Sequence, residues 1–420
     1  MSITSALYAS ISGLQAMSKN MQVISNDIAN VNTVGYKSSR SEFADLLSMS
    51  INTPGGSSQL GRGVRLESVQ TILTQGSFES TSVETDCAIN GTGWFVVSDG
   101  TADYYTRAGA FTIDSDGYLV NSSGLYVQGY TYDSTGTTLS SAMGNIALTS
   151  STSPANPTTT ITADVNLDSD SEVLSATGFD ITDADATSNF STTVTLYDSL
   201  GAEHTATVYF TKTADNEWSY NVAVDGGDLA GGTSGTAQVC ETGTLSFNSD
   251  GTLASQTTTS STGYSFTNGA TASQAVTFDF SGSTQTSSDS AATSITQDGY
   301  ASGTLTAIDI DTSGNIVGTF SNGVTRNVAA LTVASFASEA GLDSVGSNLY
   351  ISTPDSGEAV YGTADTGSLG TVASCTLELS NVDLTEELTE MITTQRAYQS
   401  DAKVVTTGDE MLQTVIEMKR

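Results

Sequence analysis

Between residues 3 and 31, apolar side chains fall at Ile3, Leu7, Leu14, Met17, Met21, Ile24, Ile28 and Val31. The steps alternate between three and four, and only Ser10 interrupts the series. This is the a/d spacing of a helix that buries one narrow stripe against other helices. No Pro occurs in the stretch and no Gly follows Gly13. At 1.5 Å per residue such a helix is roughly 40 Å long. Ser, Gln, Lys and Asn on the opposite face exclude a membrane span. So thin a stripe has little stability alone and needs a partner. The same spacing returns at the far end of the chain, at Leu384, Leu388, Met391, Gln395, Tyr398, Ala402, Val405, Asp409, Leu412 and Ile416. The chain leaves and returns at one end, so the two helices are expected to run antiparallel as a coiled coil.

What lies between them cannot be one core. The chain has 420 residues, which implies two to four domains. Hydrophobic residues make up 37% and charged residues only 14%, and there are just 4 Pro. With frequent alternating patterns, this favours β-rich domains joined by turns over disorder. The net charge of −34 argues against nucleic acid or an anionic membrane as partner. Between Arg107 and Arg396 only Lys212 and Arg326 are cationic, which describes an acidic, solvated exterior. Cys87, Cys240 and Cys375 are odd in number, far apart and outside any CxxC or Cys/His metal spacing, and read as small buried hydrophobes. The first residues lack a basic region followed by an unbroken apolar core, so no cleavable secretory signal is expected.

The first helix should stop within residues 30–35, where Asn and Gly tolerate left-handed backbone. Residues 48–70 are polar and Gly-rich, with Pro54-Gly-Gly and Gly61-Arg-Gly63, and read as a linker with one short strand at 64–72. Arg62 and Arg65 suit either acidic neighbours across a subunit contact or a solvated loop. From 76 to 145 strands and turns follow, including the buried run 88–97. Asp114-Ser-Asp-Gly117 lacks the further oxygen ligands and the Glu of a calcium loop and reads as a hairpin turn. Gly91-Thr-Gly93 has Val96 where a dinucleotide loop needs its third Gly. Residues 149–160 read as a joint between domains. Beyond them, alternation at Val194 and Leu196, Val208 and Phe210, Trp218 to Val224, and Val276 to Phe280 argues for a β-sandwich or barrel. His204 is the single His, without a GxSxG elbow, and is expected on a surface strand with no chemistry. The loop carboxylates read as solvated, and Trp94 and Trp218 as core. No catalytic, metal or cofactor site emerges.

Several stretches carry a resemblance. Ser25-Asn-Asp-Ile-Ala-Asn-Val-Asn-Thr-Val-Gly-Tyr-Lys37, through Arg40 and Phe43-Ala-Asp-Leu-Leu47, resembles the N-terminal signature of the bacterial flagellar rod and hook proteins. Asn26, Asn30, Asn32, Gly35, Tyr36 and Lys37 carry it, and Asp27 stands where Asn is expected. At the other end Ser380, Asn381 and Asp383, then Gln395-Arg396-Ala-Tyr398, match the same family. Residues 88–120 and 333–349 also fit it, with Cys87 in place of an aliphatic residue. Asn166-Leu-Asp168 and Tyr197-Asp198-Ser-Leu-Gly201 resemble the outer domain of hook proteins, an insert that the shorter rod proteins lack.

The resemblance implies a multidomain fold: a terminal antiparallel coiled coil plus mainly-β inner and outer domains, nested discontinuously. The expected divisions are a helix at 1–31, a linker at 32–75, an inner domain at 76–147 resumed at 292–359, an inserted outer domain at 148–291, a second linker at 360–381 and a helix at 382–420. The seam residues of both helices would form the assembly interface. The implied role is a structural subunit of a curved tube that transmits motor torque as a universal joint. The implied partners are other copies of the chain, a hook cap protein, the distal rod, hook–filament junction proteins and the flagellar type III export apparatus. The implied location is extracellular. A distal rod protein and an acidic β-rich adhesin are the alternatives; adhesins explain the middle of the chain but not the matched heptads.

Overall fold

The computed structural model describes residues 3–47, 49–53, 56–148, 152–174 and 178–418. Pro54, the first residues of the joint at 149–151, and Lys419 and Arg420 lie outside the described residues. The chain divides into two compact units. One comprises residues 1–151, 307–319 and 325–420, the other residues 152–306 and 320–324.

In the first unit the helices Ile3–Ala29 and Leu384–Glu417 lie at the two chain ends. The first stops where the Asn and Gly run begins, and Gly35 takes a positive φ of 70°. A Cβ there would sit 2.5 Å from the Ala108 amide nitrogen, so both backbone conformation and space call for Gly. The second starts at Asp383, whose carboxylate accepts hydrogen bonds from the Thr385 and Glu386 amides.

The stretch expected as a linker is more ordered than its composition suggests. Ser39–Asp45 pairs antiparallel with Val64–Thr71, and Met49–Thr53 with Gly56–Leu60. Backbone pairing, which needs no apolar pattern, accounts for the missed strands. The second expected linker, 360–381, likewise supplies strands. Val360–Thr363 pairs with Thr325–Ser335, Thr371–Ser374 with Cys87–Asn90, and Thr376–Glu378 with Phe78–Ser80. Thr325–Ser335 is central: it also pairs with Asn315–Phe320, Tyr126–Tyr132 and Trp94–Ser98. Trp94, Val96, Tyr105, Ala334 and Tyr350 pack one core of this unit. The buried run 88–97 is two strands, divided by Gly91 and Gly93, both at positive φ. Asp114 caps a hairpin turn, accepting from the Asp116 and Tyr118 amides.

The second unit is a sandwich. Five antiparallel strands run in sequence order: Phe190–Tyr197, Glu203–Ala214, Glu217–Asp225, Ala237–Phe247 and Leu253–Ser261. The other sheet centres on Thr160–Asp168, which pairs in parallel with Thr277–Asp279 and Thr284–Thr286 and antiparallel with Ala291–Gln297. Ile161, Val165, Leu167, Phe210, Trp218, Tyr220, Phe278 and Phe280 share one core, as period-two alternation requires. The boundary expected at 291 falls at the start of the Ala291–Gln297 strand, so this unit extends to residue 306. Lys212 is its one Lys or Arg, and it is buried, donating to the carbonyls of Ser169 and Ser171.

Candidate assembly surface

The two terminal helices touch in opposite order along their lengths. A Cβ on Gly408 would press against Leu7, one on Gly13 against Asp401, and Asn20 hydrogen-bonds Thr394 and Glu390 at 3.1 and 3.2 Å. They are therefore antiparallel, and Gly13 and Gly408 are the places where one helix comes close to a side chain of the other.

The buried stripe is not the apolar seam read from sequence. In the first helix the fully buried positions are Gly13, Ala16, Asn20, Ile24 and Asp27. Of the seam residues only Ile24 is among them. Leu7, Leu14, Met17, Met21 and Ile28 are half-buried, as is Val31 just past the helix end, and the side chain of Ile3 lies outside the described part. In the second helix Met391, Val405 and Leu412 are half-buried, while Leu384, Leu388, Tyr398 and Ile416 are exposed. Ile392, Val404 and Met411 are exposed beside them, and Tyr8 and Ile11 on the first helix. An open groove of about 410 Å³ between the helices is lined by Leu7, Val404, Gly408 and Met411 among others. Heptad spacing identifies an apolar row; it does not say whether a partner in the same chain covers it. Here much of the row is left outward.

The signature residues fix where the helices enter the first unit. Asn26 donates to the Tyr36 hydroxyl at 2.8 Å, and Tyr36 donates to Asp27 at 2.7 Å. Asn30 closes the helix end on the Asn26 carbonyl, and Asn32 is exposed. Asn381 accepts from the Ser38 amide and donates to the carbonyls of Ile72 and Thr74, while Ser380 accepts from the Val382 amide. Gln395 and Arg396 are exposed. Lys37 leads to a residue that sequence reasoning passed over, Glu378. The Lys37 ammonium lies 2.6 Å from its carboxylate and 2.8 Å from the Thr74 carbonyl. The Gly76 amide donates to the same oxygen at 2.9 Å, and Arg107 lies 3.6 Å from the other oxygen with its guanidinium over Trp94. Burial pulls Lys37 below the ordinary ammonium range, although Glu378 favours its charge. Burial likewise lowers Arg107, with Glu378 opposing. A lone Glu in a Ser/Thr-rich strand carries no sequence signal of such a role; the buried Lys and Arg were its only trace.

In the second unit His204 is buried, not on the surface as expected. Its Nε2 lies 3.2 Å from Asp198 and its Nδ1 3.3 Å from Asp228, and its ring stacks on Phe266 at 3.8 Å. Alternation placed it on a strand but could not see the Phe266 loop that covers it. Asp198 also accepts from Asn268 and from the Leu200 and Ala202 amides. Burial pushes its pKa up, but these hydrogen bonds outweigh it and hold the carboxyl below its ordinary range. Gly201 completes the turn at a φ of 84°. This is a structural pin: its groups are engaged with one another. Arg65 pairs with Glu67 on the surface, and Arg62 is exposed.

Profiles of four domain families match in chain order. Residues 7–37 match the flagella basal body rod protein, 88–175 the flagellar hook protein FlgE/F/G D1 domain, 166–300 the flagellar basal body protein FlaE D2 domain, and 373–418 the flagellar basal body rod FlgEFG protein C-terminal family. The flagellar hook protein FlgE of Salmonella typhimurium is 36% identical over 415 residues, covering 97% of this chain and 98% of that protein. The chain belongs to the flagellar hook protein family. The hook protein of Treponema pallidum is 35% identical over 465 residues, covering 99% of each chain. That of Escherichia coli K12 is 34% identical over 421 residues, covering 99% of this chain and 100% of the other. No helix among the described residues is long and apolar enough to cross a membrane.

Proposed function

We propose that this chain, a structural subunit of the bacterial flagellar hook, polymerises through its terminal helices into a curved, flexible tube that passes motor torque from rod to filament. The observation that carries the mechanism is the set of apolar side chains that the partner helix leaves exposed, Leu384, Leu388, Ile392, Val404 and Met411. In water such a row favours association with its like by about 25 cal/mol per Å² covered. A pair of antiparallel helices with a second apolar face suits lateral packing into a nested coiled-coil wall. The sandwich at 152–306 has its own closed core and would form the outer layer, free to slide against its neighbours. A hook cap, the distal rod, junction proteins and the type III export apparatus are the further partners, and the location is the extracellular part of the flagellum. A distal rod protein is not favoured, because the hook relatives match along nearly the whole chain, insert included. An adhesin leaves the paired ends unexplained. Negative-stain imaging of the purified full chain is the direct test: short curved tubes are expected, and a chain that stays monomeric at every concentration would refute polymerisation.

A further inference from the structure

The heptad row at which the terminal helices meet carries polar side chains along much of its length. Gly13, Asn20 and Asp27 are spaced by heptads, and Asp401 and Thr394 answer the first two. The same antiparallel step brings Glu387 opposite Asp27. Asp27 is fully buried and stands where the family signature expects Asn. The turn after its own helix supplies two donors, the Tyr36 hydroxyl at 2.7 Å and the Ser39 amide at 3.0 Å. The facing helix supplies carboxylates: Glu387, then Glu390, with Glu386 beside them. Of the cations on neighbouring segments, Lys37 pairs with Glu378, Arg40 with Glu42, and Lys19 donates to Gln22.

We infer that Asp27 and Glu387 hold a proton between the two terminal helices, so that pairing of the chain ends tightens in mild acid and loosens above neutrality. Two carboxylates that share a partly buried site cannot both ionise without mutual repulsion. Burial pushes Glu387 up to about 7, helped by Asp27, Glu390 and Glu386. Burial also raises Asp27, against the lowering pull of Ser39 and Tyr36, and Glu390 adds to the rise. Both pKa values thus lie higher in the paired helices than in separated ones. The paired state binds the extra proton, so its contribution is complete below the ordinary carboxylate range near ~4. It is lost as pH climbs through about 7.

The inference concerns the single chain and holds whether or not tubes form. Hydrogen exchange read by mass spectrometry, as protection factors corrected for intrinsic pH dependence, tests it on the full-length protein at pH 5.5 and 8.0. Protection of residues 20–29 and 384–394 should fall at least ~10-fold between the two pH values, the change that one pKa unit of coupling produces. Asp27→Asn should raise protection at pH 8.0 and flatten the response, Glu387→Gln should do the same, and the double variant should gain little more than either. Glu410→Gln, an exposed change on the same helix, should behave as wild type. Equal protection of the wild type at both pH values, absence of protection in every variant, or an unaltered response in Asp27→Asn would each overturn the inference.

Discussion

The terminal helices and the 152–306 sandwich solve opposite problems. The sandwich turns its apolar side chains inward from two sheets and leaves an acidic exterior whose one Lys is buried. The helices place Asn20, Asp27 and Thr394 in their mutual contact and leave Leu384, Leu388, Ile392 and Met411 outward. A polar contact between helices sets register at some loss of stability. An uncovered apolar row gains stability only when something covers it. The same chain thus holds one part whose apolar side chains its own sheets cover and one that, on the proposed function, other copies would cover.

The widest separation of the two regions comes from tube formation. Leu388→Asp places a carboxylate in the row that neighbouring copies would cover, at a cost of roughly 3–5 kcal/mol per subunit if it is buried unpaired. Tubes should be abolished in negative-stain images, although the β strands still give a folded circular dichroism spectrum. Deleting residues 152–306 should leave thinner tubes of altered curvature. Tubes from the point variant, or none from the deletion alone, would reverse the roles of the two regions. Next in size is Glu378→Gln. It leaves Lys37 and Arg107 buried without their counter-charge, and calorimetry should show the first unit weakened by about 3 kcal/mol or more while the sandwich transition stays in place. His204→Ala should do the converse. Losing the contacts to Asp198, Asp228 and Phe266 should destabilise the sandwich by about 1–3 kcal/mol, with tubes still forming; failure of assembly in a stably folded variant would give the sandwich a role in the contacts. Smallest is Asp383→Ala, which removes the cap of the C-terminal helix. Faster amide exchange confined to residues 384–388 is the expected reading.

What could be read from sequence follows the same division. Period-two alternation over Trp218 to Val224 reports a closed two-sided packing, and the sandwich was visible for that reason. The helices were equally visible as helices, from their spacing and the Asn and Gly stop. Their contacts were not. An a/d row states that a face is apolar, while Gly13 and Gly408, which let the helices approach along another face, look like minor irregularities in a linear reading. The strands at 39–60 and 360–378 escaped because Ser, Thr and Gly residues paired through their backbones leave no hydrophobic signature. Glu378 and the covered face of His204 depend on segments far away in the chain, which local patterns do not report.

The Lys37–Glu378 contact also bears on the order of events as the chain matures. Its partners are separated by 341 residues. A buried ammonium cannot settle in its site before its carboxylate arrives, since desolvation without a counter-charge is prohibitive. A chain emerging from its N-terminus therefore keeps the base of its first helix unanchored until the last strand before the second helix has followed. The five-stranded sheet of the sandwich, whose strands are neighbours in sequence, is under no such delay. Loop closure on this scale slows folding far more than it weakens the finished fold. The junction at the base of the first helix is therefore among the last contacts that connectivity allows to form.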